Sequence, residues 1–303
     1  MDPALIEAFR RDGVVFLPGI LSAREVATLE AGVERNLADL GPLAMNATKP
    51  GEPGAFVEDF CNWQRIPEYG EVIRSSALAA AAGALMGSQS VRLFHDHLLV
   101  KEAGTRDRSP WHQDQPYYPI DGRQTVSFWI PLDPVARAST LEFVAGSHAE
   151  GRWYMPRSFV KKTAMVFEEG ALDEVPDIDA DRTAWPIVCW EMAPGDAVAF
   201  NMLTLHGAAG SPTRRRAFSL RLAGDDVTWA PRPHRTSRPF PDAEAMLTAG
   251  APLDHPVFPE LWRCERSWRR GALPRGQDMR KHVPPQPPPN ATGASDISAA
   301  IPV

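Results

Sequence analysis

Apolar residues recur with helical spacing through much of the first ninety positions and with strand spacing after them. Leu5, Ile6 and Phe9 share one face of a predicted helix over 3–11 that stops at Asp12-Gly13. Val14-Val15-Phe16-Leu17 then reads as a strand closed by Pro18-Gly19. From Ala23 to Leu40 the positions Val26, Leu29, Val33, Leu37 and Leu40 form one apolar stripe, and Ser22 and Glu25 have the spacing of a capping box. Gly- and Pro-rich residues 41–62 predict a loop, and Glu71 to Met86 predict a further helix that ends at Gly87.

Beyond Ser90 the texture changes. The runs Val91–Val100, Thr125–Leu132, Leu141–Val144, Asp196–Phe200 and Ala217–Leu222 are rich in β-branched and aromatic residues and are bounded by Gly, Pro or Asp. Strands of this length and spacing predict a mostly β protein with a helical N-terminal layer. The expected core is a jelly roll, a cupin-like double-stranded β-helix that stacks two sheets. The polar segment from Arg157 to Trp190 has the character of a lid or binding loop. The expected organisation is a single domain over 1–282, divided into a helical layer 1–90, a jelly-roll core 91–230 and a loop-rich segment 231–282. A Pro-rich disordered tail over 283–303 completes it, because that composition cannot bury a core.

Composition narrows the function classes. With 303 residues, 44% of them hydrophobic, the chain is long enough to bury a large core. Thirty prolines and 22 glycines favour many short elements joined by turns. A formal charge of −6 with no block of like charges argues against nucleic acid as a partner. No apolar run approaches the roughly 18 residues of a spanning helix, and the opening lacks the features of a signal peptide, so the expected location is cytoplasmic. Cys61, Cys189 and Cys264 are widely separated, which fits neither a disulfide framework nor a thiolate zinc cluster.

The chemistry concentrates in two places. In Trp111-His112-Gln113-Asp114, an extended segment would point His112 and Asp114 to the same side. His206 follows the predicted strand that ends at Phe200. Two imidazoles and a carboxylate from separate strands can occupy one face of an octahedral metal and leave three positions open, the geometry of non-haem Fe(II) oxygenases. The same set can hold a catalytic zinc, so a metal-dependent hydrolase stays open, as does an inactive jelly-roll binding module. Further along, Arg215, Ala217, Ser219 and Arg221 share one face of a strand while Arg214 and Arg216 point the other way. An inward guanidinium there could grip a carboxylate. Tyr117, Tyr118, Trp153 and Trp229 are candidates for an aromatic substrate wall. His95 and His97 form an HxH pair that could in principle bind a metal but ranks below the main triad, His97 reading rather as a packing residue or outer partner of the site; Lys101 could reach the pocket from the end of its apolar strand, with a snorkelling surface lysine as the default.

These residues resemble the phytanoyl-CoA dioxygenase family of Fe(II)/2-oxoglutarate oxygenases. The resemblance runs from Phe9-Arg10-Arg11-Asp12-Gly13-Val14-Val15 to Gly224-Asp225-Asp226. It includes Asp96-His97-Leu98-Leu99-Val100-Lys101, Trp111-His112-Gln113-Asp114-Gln115-Pro116-Tyr117-Tyr118, Val126-Ser127-Phe128-Trp129-Ile130-Pro131-Leu132-Asp133, Phe143-Val144-Ala145-Gly146-Ser147-His148, Pro194-Gly195-Asp196 and His206 followed by Arg215-Arg216-Ala217-Phe218-Ser219. It implies iron ligated by His112, Asp114 and His206, with 2-oxoglutarate and O2 as cosubstrates. It also implies that Arg215 binds the distal carboxylate of 2-oxoglutarate, and that Gln113, Trp129 and Ser219 line the cosubstrate pocket. Arg216 and Arg221 are the alternatives to Arg215, which lies nine residues after His206. The implied reaction hydroxylates a small organic molecule while 2-oxoglutarate is decarboxylated to succinate and CO2. The acidic balance and the lack of a basic patch for CoA phosphates argue against a long acyl-CoA as the substrate.

Overall fold

The computed structural model describes residues 1–48, 51, 53–106, 108–156, 172–232 and 239–264. Met1–Cys264 form one compact unit. The expected tail at 283–303, and residues 157–171 of the expected lid, lie outside the described residues. In chain order the elements are α1 (Pro3–Asp12), β1 (Val14–Leu17), α2 (Ala23–Ala38), β2 (Met45–Asn46), β3 (Phe56–Phe60), α3 (Pro67–Ser75), α4 (Leu78–Met86) and β4 (Ser90–Lys101). There follow β5 (Ser109–His112), β6 (Ile120–Asp121), β7 (Thr125–Pro131), β8 (Leu141–Val144), β9 (Ile187–Val188), β10 (Ala197–Phe200) and β11 (His206–Ala208). The described chain ends with β12 (Arg215–Ala223), β13 (Thr228–Trp229), α5 (Pro241–Met246) and β14 (Glu260–Arg263).

An eight-stranded antiparallel sheet runs β1-β10-β7-β12-β4-β3-β2, with β14 added against β4, and a four-stranded sheet runs β5-β11-β8-β9. The two sheets are the stacked halves of the expected jelly roll. Strand alternation gives the large sheet two unlike faces. Val15, Leu17, Leu98, Val100, Phe128, Ile130, Ala197, Ala199, Phe218 and Leu220 bury one face in a single apolar cluster with Phe9, Val26, Leu29 and Val33 of the N-terminal helices. The opposite face packs Val14, Trp129, Val198, Phe200 and Ala217 against Leu141, Phe143 and Ala208 of the small sheet. This inner face also carries the polar residues discussed below.

Local signals explain most boundaries. Asp2 caps α1, and Gly13 ends it at φ 72, a left-handed conformation that lets the chain turn straight into β1. A Cβ at Gly13 would also collide with His148 and Thr204. Ser22 and Glu25 form the expected capping box, but α2 stops at Ala38 and leaves Leu40 exposed, because Gly41-Pro42 cannot continue a helix.

Three expectations are corrected. Residues 41–62 are not all loop, since β3 pairs with β4 from Phe56 opposite Lys101 to Phe60 opposite His97. Its acidic centre, Glu58-Asp59, hid the strand in the sequence. Asp59 is nonetheless buried and accepts from Asn36 and from the Gly41 N–H. The helix predicted over 71–86 is two helices, broken at Ser76 in extended conformation and started early by Pro67. The first ninety residues are therefore not purely a helical layer, because β1, β2 and β3 belong to the large sheet.

Candidate metal centre and cosubstrate pocket

His112 ends β5 and His206 begins β11, and the two residues are direct cross-strand partners. Their ring centroids are 4.1 Å apart. Each ring is oriented by its own chain, His112 Nδ1 lying 2.8 Å from the Pro110 carbonyl and His206 Nδ1 2.9 Å from that of Thr204. Both contacts suit an Nδ1–H donor, which leaves each Nε2 lone pair facing the site. Asp114 follows two residues after His112, with Oδ1 3.9 Å from His112 Nε2 and 3.8 Å from His206 Nε2. The three ligand atoms lie within 4.8 Å of one another, and all three side chains are buried. Among the described residues this is the one group of three or more His, Cys, Asp or Glu placed to hold a metal.

Electrostatics prepare the group for a cation. Burial, reinforced by His206, pushes the His112 imidazole down to about 3 in spite of Asp114. Burial lowers His206 as well. Both rings are therefore neutral at physiological pH and can donate lone pairs. Burial alone would lift Asp114, but Arg221 and the two imidazoles hold its carboxyl well below the usual carboxylate range. Ser127 Oγ donates to Asp114 Oδ2 at 2.6 Å, and Arg221 Nη2 donates to Oδ1 at 3.3 Å. Two neutral nitrogens and one ionised oxygen, each oriented by a hydrogen bond behind it, fit Fe(II) bound on one face.

The arginines separate cleanly. Arg216 lies on the outer face and is spent on Asp133, Glu30 and Glu34. Arg221 is on the inner face but is engaged with Asp114 and Ser219. Arg215, also on the inner face, is 6% exposed. It donates to the Ser139 carbonyl and lies 5.7 Å from the centroid of the Trp129 ring. Among the described residues no carboxylate forms an ion pair with it, and burial pushes its guanidinium down to about 10, still charged at neutral pH. A buried cation of this kind fits the distal carboxylate of a keto diacid.

The remaining candidates divide between wall and scaffold. Trp129 stands on the inner face opposite Ser219. Ser219 donates to the Phe128 carbonyl and accepts from Arg221. Tyr117 meets His112 edge-on at 5.9 Å, and Tyr118 meets His95 at 5.1 Å. Trp153 lies under Arg232, 4.9 Å from the guanidinium carbon. Gln113 does not line the pocket. Its amide donates to the Arg152 and Leu203 carbonyls and accepts from the Tyr154 N–H, because it points away from its two ligand neighbours. Trp229 is fully buried beside Phe258 and Phe240 in an apolar cluster that Tyr117 and Tyr118 also join, so it forms no open wall. Lys101 is 1% exposed, contrary to the surface position expected.

Sequence reasoning missed Ser127, although its spacing of two from Trp129 on a predicted strand would have placed it on the same face. No described helix is long and apolar enough to cross a membrane.

Comparison with known proteins agrees with this geometry. The profile of the phytanoyl-CoA dioxygenase (PhyH) family matches residues 9–217. A protein of Caenorhabditis elegans named "Probable phytanoyl-CoA dioxygenase" is 30% identical over 195 residues, 61% of this chain and 59% of that protein's length. The ectoine dioxygenase of Stutzerimonas stutzeri (strain A1501) is 25% identical over 252 residues, 78% of this chain and 81% of the relative. Among solved structures, the epimerase SnoN in complex with Fe3+, α-ketoglutarate and nogalamycin RO superposes with a TM-score of 0.68 at 24% identity, covering 86% of this chain and all of that one. The chain belongs to the phytanoyl-CoA dioxygenase family of Fe(II)/2-oxoglutarate-dependent oxygenases.

Proposed function

We propose that the chain oxidises a small organic molecule, with His112, Asp114 and His206 holding Fe(II) and Arg215 holding the distal carboxylate of 2-oxoglutarate. Arg215 carries this reading, as a buried inward guanidinium next to Trp129 whose two neighbouring arginines are already committed elsewhere. With iron bound, the centre supplies O2 activation coupled to decarboxylation of the keto acid to succinate and CO2. The protein's own part is orientation and exclusion of water. The Pro110 and Thr204 carbonyls fix the imidazoles, Ser127 and Arg221 fix the carboxylate, and the inner wall around Trp129 shields the cosubstrate. A hydrolytic use of the same triad would leave Arg215 without a partner.

The intact carboxylate at Asp114 favours hydroxylation or another O2-derived oxidation over chlorination, which in related halogenases accompanies loss of that ligand. A small substrate is supported by the relatives, one named for ectoine and one bound to nogalamycin RO. The protein is titrated anaerobically with Fe(II) and then 2-oxoglutarate while the weak visible charge-transfer band of a chelated keto acid is followed. The band should appear in the wild type and vanish in His206→Ala. Iron binding without the band would overturn the proposal.

A further inference from the structure

The ladder that sets His112 across from His206 is short and irregular. β5 and β11 share two register pairs, His206 opposite His112 and Ala208 opposite Ser109, with a shift between them. A ladder this brief specifies register weakly, and a slip of one residue would bring Trp111 or Gln113 opposite His206 and turn the His112 ring to the other face. Contacts outside the ladder must therefore hold the two metal-site segments in step.

The turn before β11 supplies them with its carbonyls. The Met202 carbonyl accepts the Asp114 N–H at 2.8 Å and the Gln115 N–H at 3.0 Å. The Leu203 carbonyl accepts the Gln113 amide at 2.7 Å, and the Thr204 carbonyl lies 2.9 Å from His206 Nδ1. Three consecutive carbonyls thus engage both the segment that carries Asp114 and the ring of His206. Each peptide is planar, so the directions of these carbonyls are fixed only while the turn keeps its shape.

Asn201 locks that shape. Its buried side chain accepts the Leu203 N–H at Oδ1, 2.9 Å away, an Asx turn within residues 201–204. Its carbonyl accepts the Thr204 N–H at 2.9 Å, and its own N–H donates to the Gly13 carbonyl, which also accepts from Thr204 Oγ1. Its Nδ2 donates to the Arg123 and Thr125 carbonyls at 3.2 and 3.3 Å, at the start of β7. That strand carries Ser127, the hydroxyl donor to Asp114. One side chain joins the turn to the strand that backs the carboxylate.

We propose that Asn201 is a positioning residue of the metal centre: its side chain sets the 201–204 turn, and the turn carbonyls set the His112–Asp114 segment against His206. The proposal rests on the assignment of those three ligands to Fe(II). Affinity for the metal then depends on a side chain that ligates nothing.

The test reads Fe(II) affinity by competition with a chelator of known affinity, and the stability of the metal-free protein by urea unfolding. Asn201→Ala should weaken Fe(II) binding about tenfold or more. Asn201→Asp keeps the acceptor for the Leu203 N–H and should recover most of that loss. Asn36→Ala is the control, since it removes another buried amide, bonded to Asp59 under α2. It should lower stability and leave the Fe(II) affinity of the folded protein unchanged. Wild-type affinity in folded Asn201→Ala, a loss that Asn36→Ala shares, or no recovery in Asn201→Asp would overturn the proposal. If Asn201→Ala does not fold, Asn201→Ser takes its place, because a hydroxyl holds such a turn more weakly. Failure of the metal assignment is distinguishable, because then His206→Ala binds Fe(II) as tightly as the wild type, and the role of Asn201 falls with it.

Discussion

Arg221 Nε lies 3.2 Å from Asp114 Oδ2, so the carboxylate placed to bind a metal is itself held by a guanidinium on the opposite sheet. Arg221→Met should leave Asp114 free to swing and should weaken Fe(II) binding by about 10–100-fold. Competition with a chelator of known affinity measures this. Unchanged metal affinity would show that Ser127 alone suffices to orient the carboxylate.

Arg215 and Arg216 are adjacent in sequence and face opposite sides of β12, so the proposed cosubstrate role falls to Arg215 while Arg216 is held in an outer ion-pair network. Arg215→Ala should raise the KM for 2-oxoglutarate about tenfold or more, through loss of a charge-assisted fork. Arg216→Ala should leave that KM unchanged and lower stability by roughly 1 kcal/mol, since its partners Asp133, Glu30 and Glu34 lie partly in solvent. Steady-state kinetics and thermal unfolding separate the two. A KM effect at Arg216 would contradict the assignment.

Gln113 stitches three backbone groups from the 152–154 segment and the turn before His206. Gln113→Ala strands buried donors and acceptors and should cost about 2–3 kcal/mol in unfolding free energy, with cosubstrate affinity preserved in the folded fraction. Denaturant unfolding beside 2-oxoglutarate titration checks both halves. Selective loss of 2-oxoglutarate binding with normal stability would return Gln113 to the pocket wall.

Asp96 supplies a pH dependence. It is buried and accepts from the Asn62 and Trp63 N–H groups, yet burial outweighs these bonds and lifts its carboxyl to about 6. The folded state thus holds this proton more tightly than the unfolded chain does. The resulting stabilisation is fully present below the unfolded value of 3.8 and is lost as the pH rises through 6. Relative to Asp96→Asn, the wild type should lose about 3 kcal/mol of stability between pH 4 and pH 7. Urea titrations of both proteins across that range test it, and parallel pH profiles would refute it.

Much of this site is legible in the sequence alone. The spacing of His112 and Asp114, the strand before His206 and the alternation along Arg215–Arg221 are local facts, and a strand converts each into a direction. What the sequence hides depends on distant pairing. Glu58 and Asp59 read as loop because charges seldom enter a sheet, and only the pairing of β3 with β4 explains their burial. Lys101 reads as a surface residue for the same reason. Spacing does not set aside the two alternatives to Arg215, because the partners of Arg216 come from α2 and the turn after β7, and the partner of Arg221 from the loop after β5. Gln113 and Trp229 carry the right chemistry in the wrong direction, one aimed at backbone groups and the other sunk fully in an apolar core.

The alternation of β12 also makes a reading frame of this strand. Slipping its pairing by one residue would exchange Arg215 for Arg216 at the pocket and turn Phe218 and Leu220 out of the helical core. Deleting one residue inside the strand should therefore remove cosubstrate recognition and core packing together, whereas a deletion confined to the preceding turn at Pro212-Thr213 leaves the frame in place. The proposed selectivity of the pocket is thus set by strand registration as much as by the identity of the residues that line it.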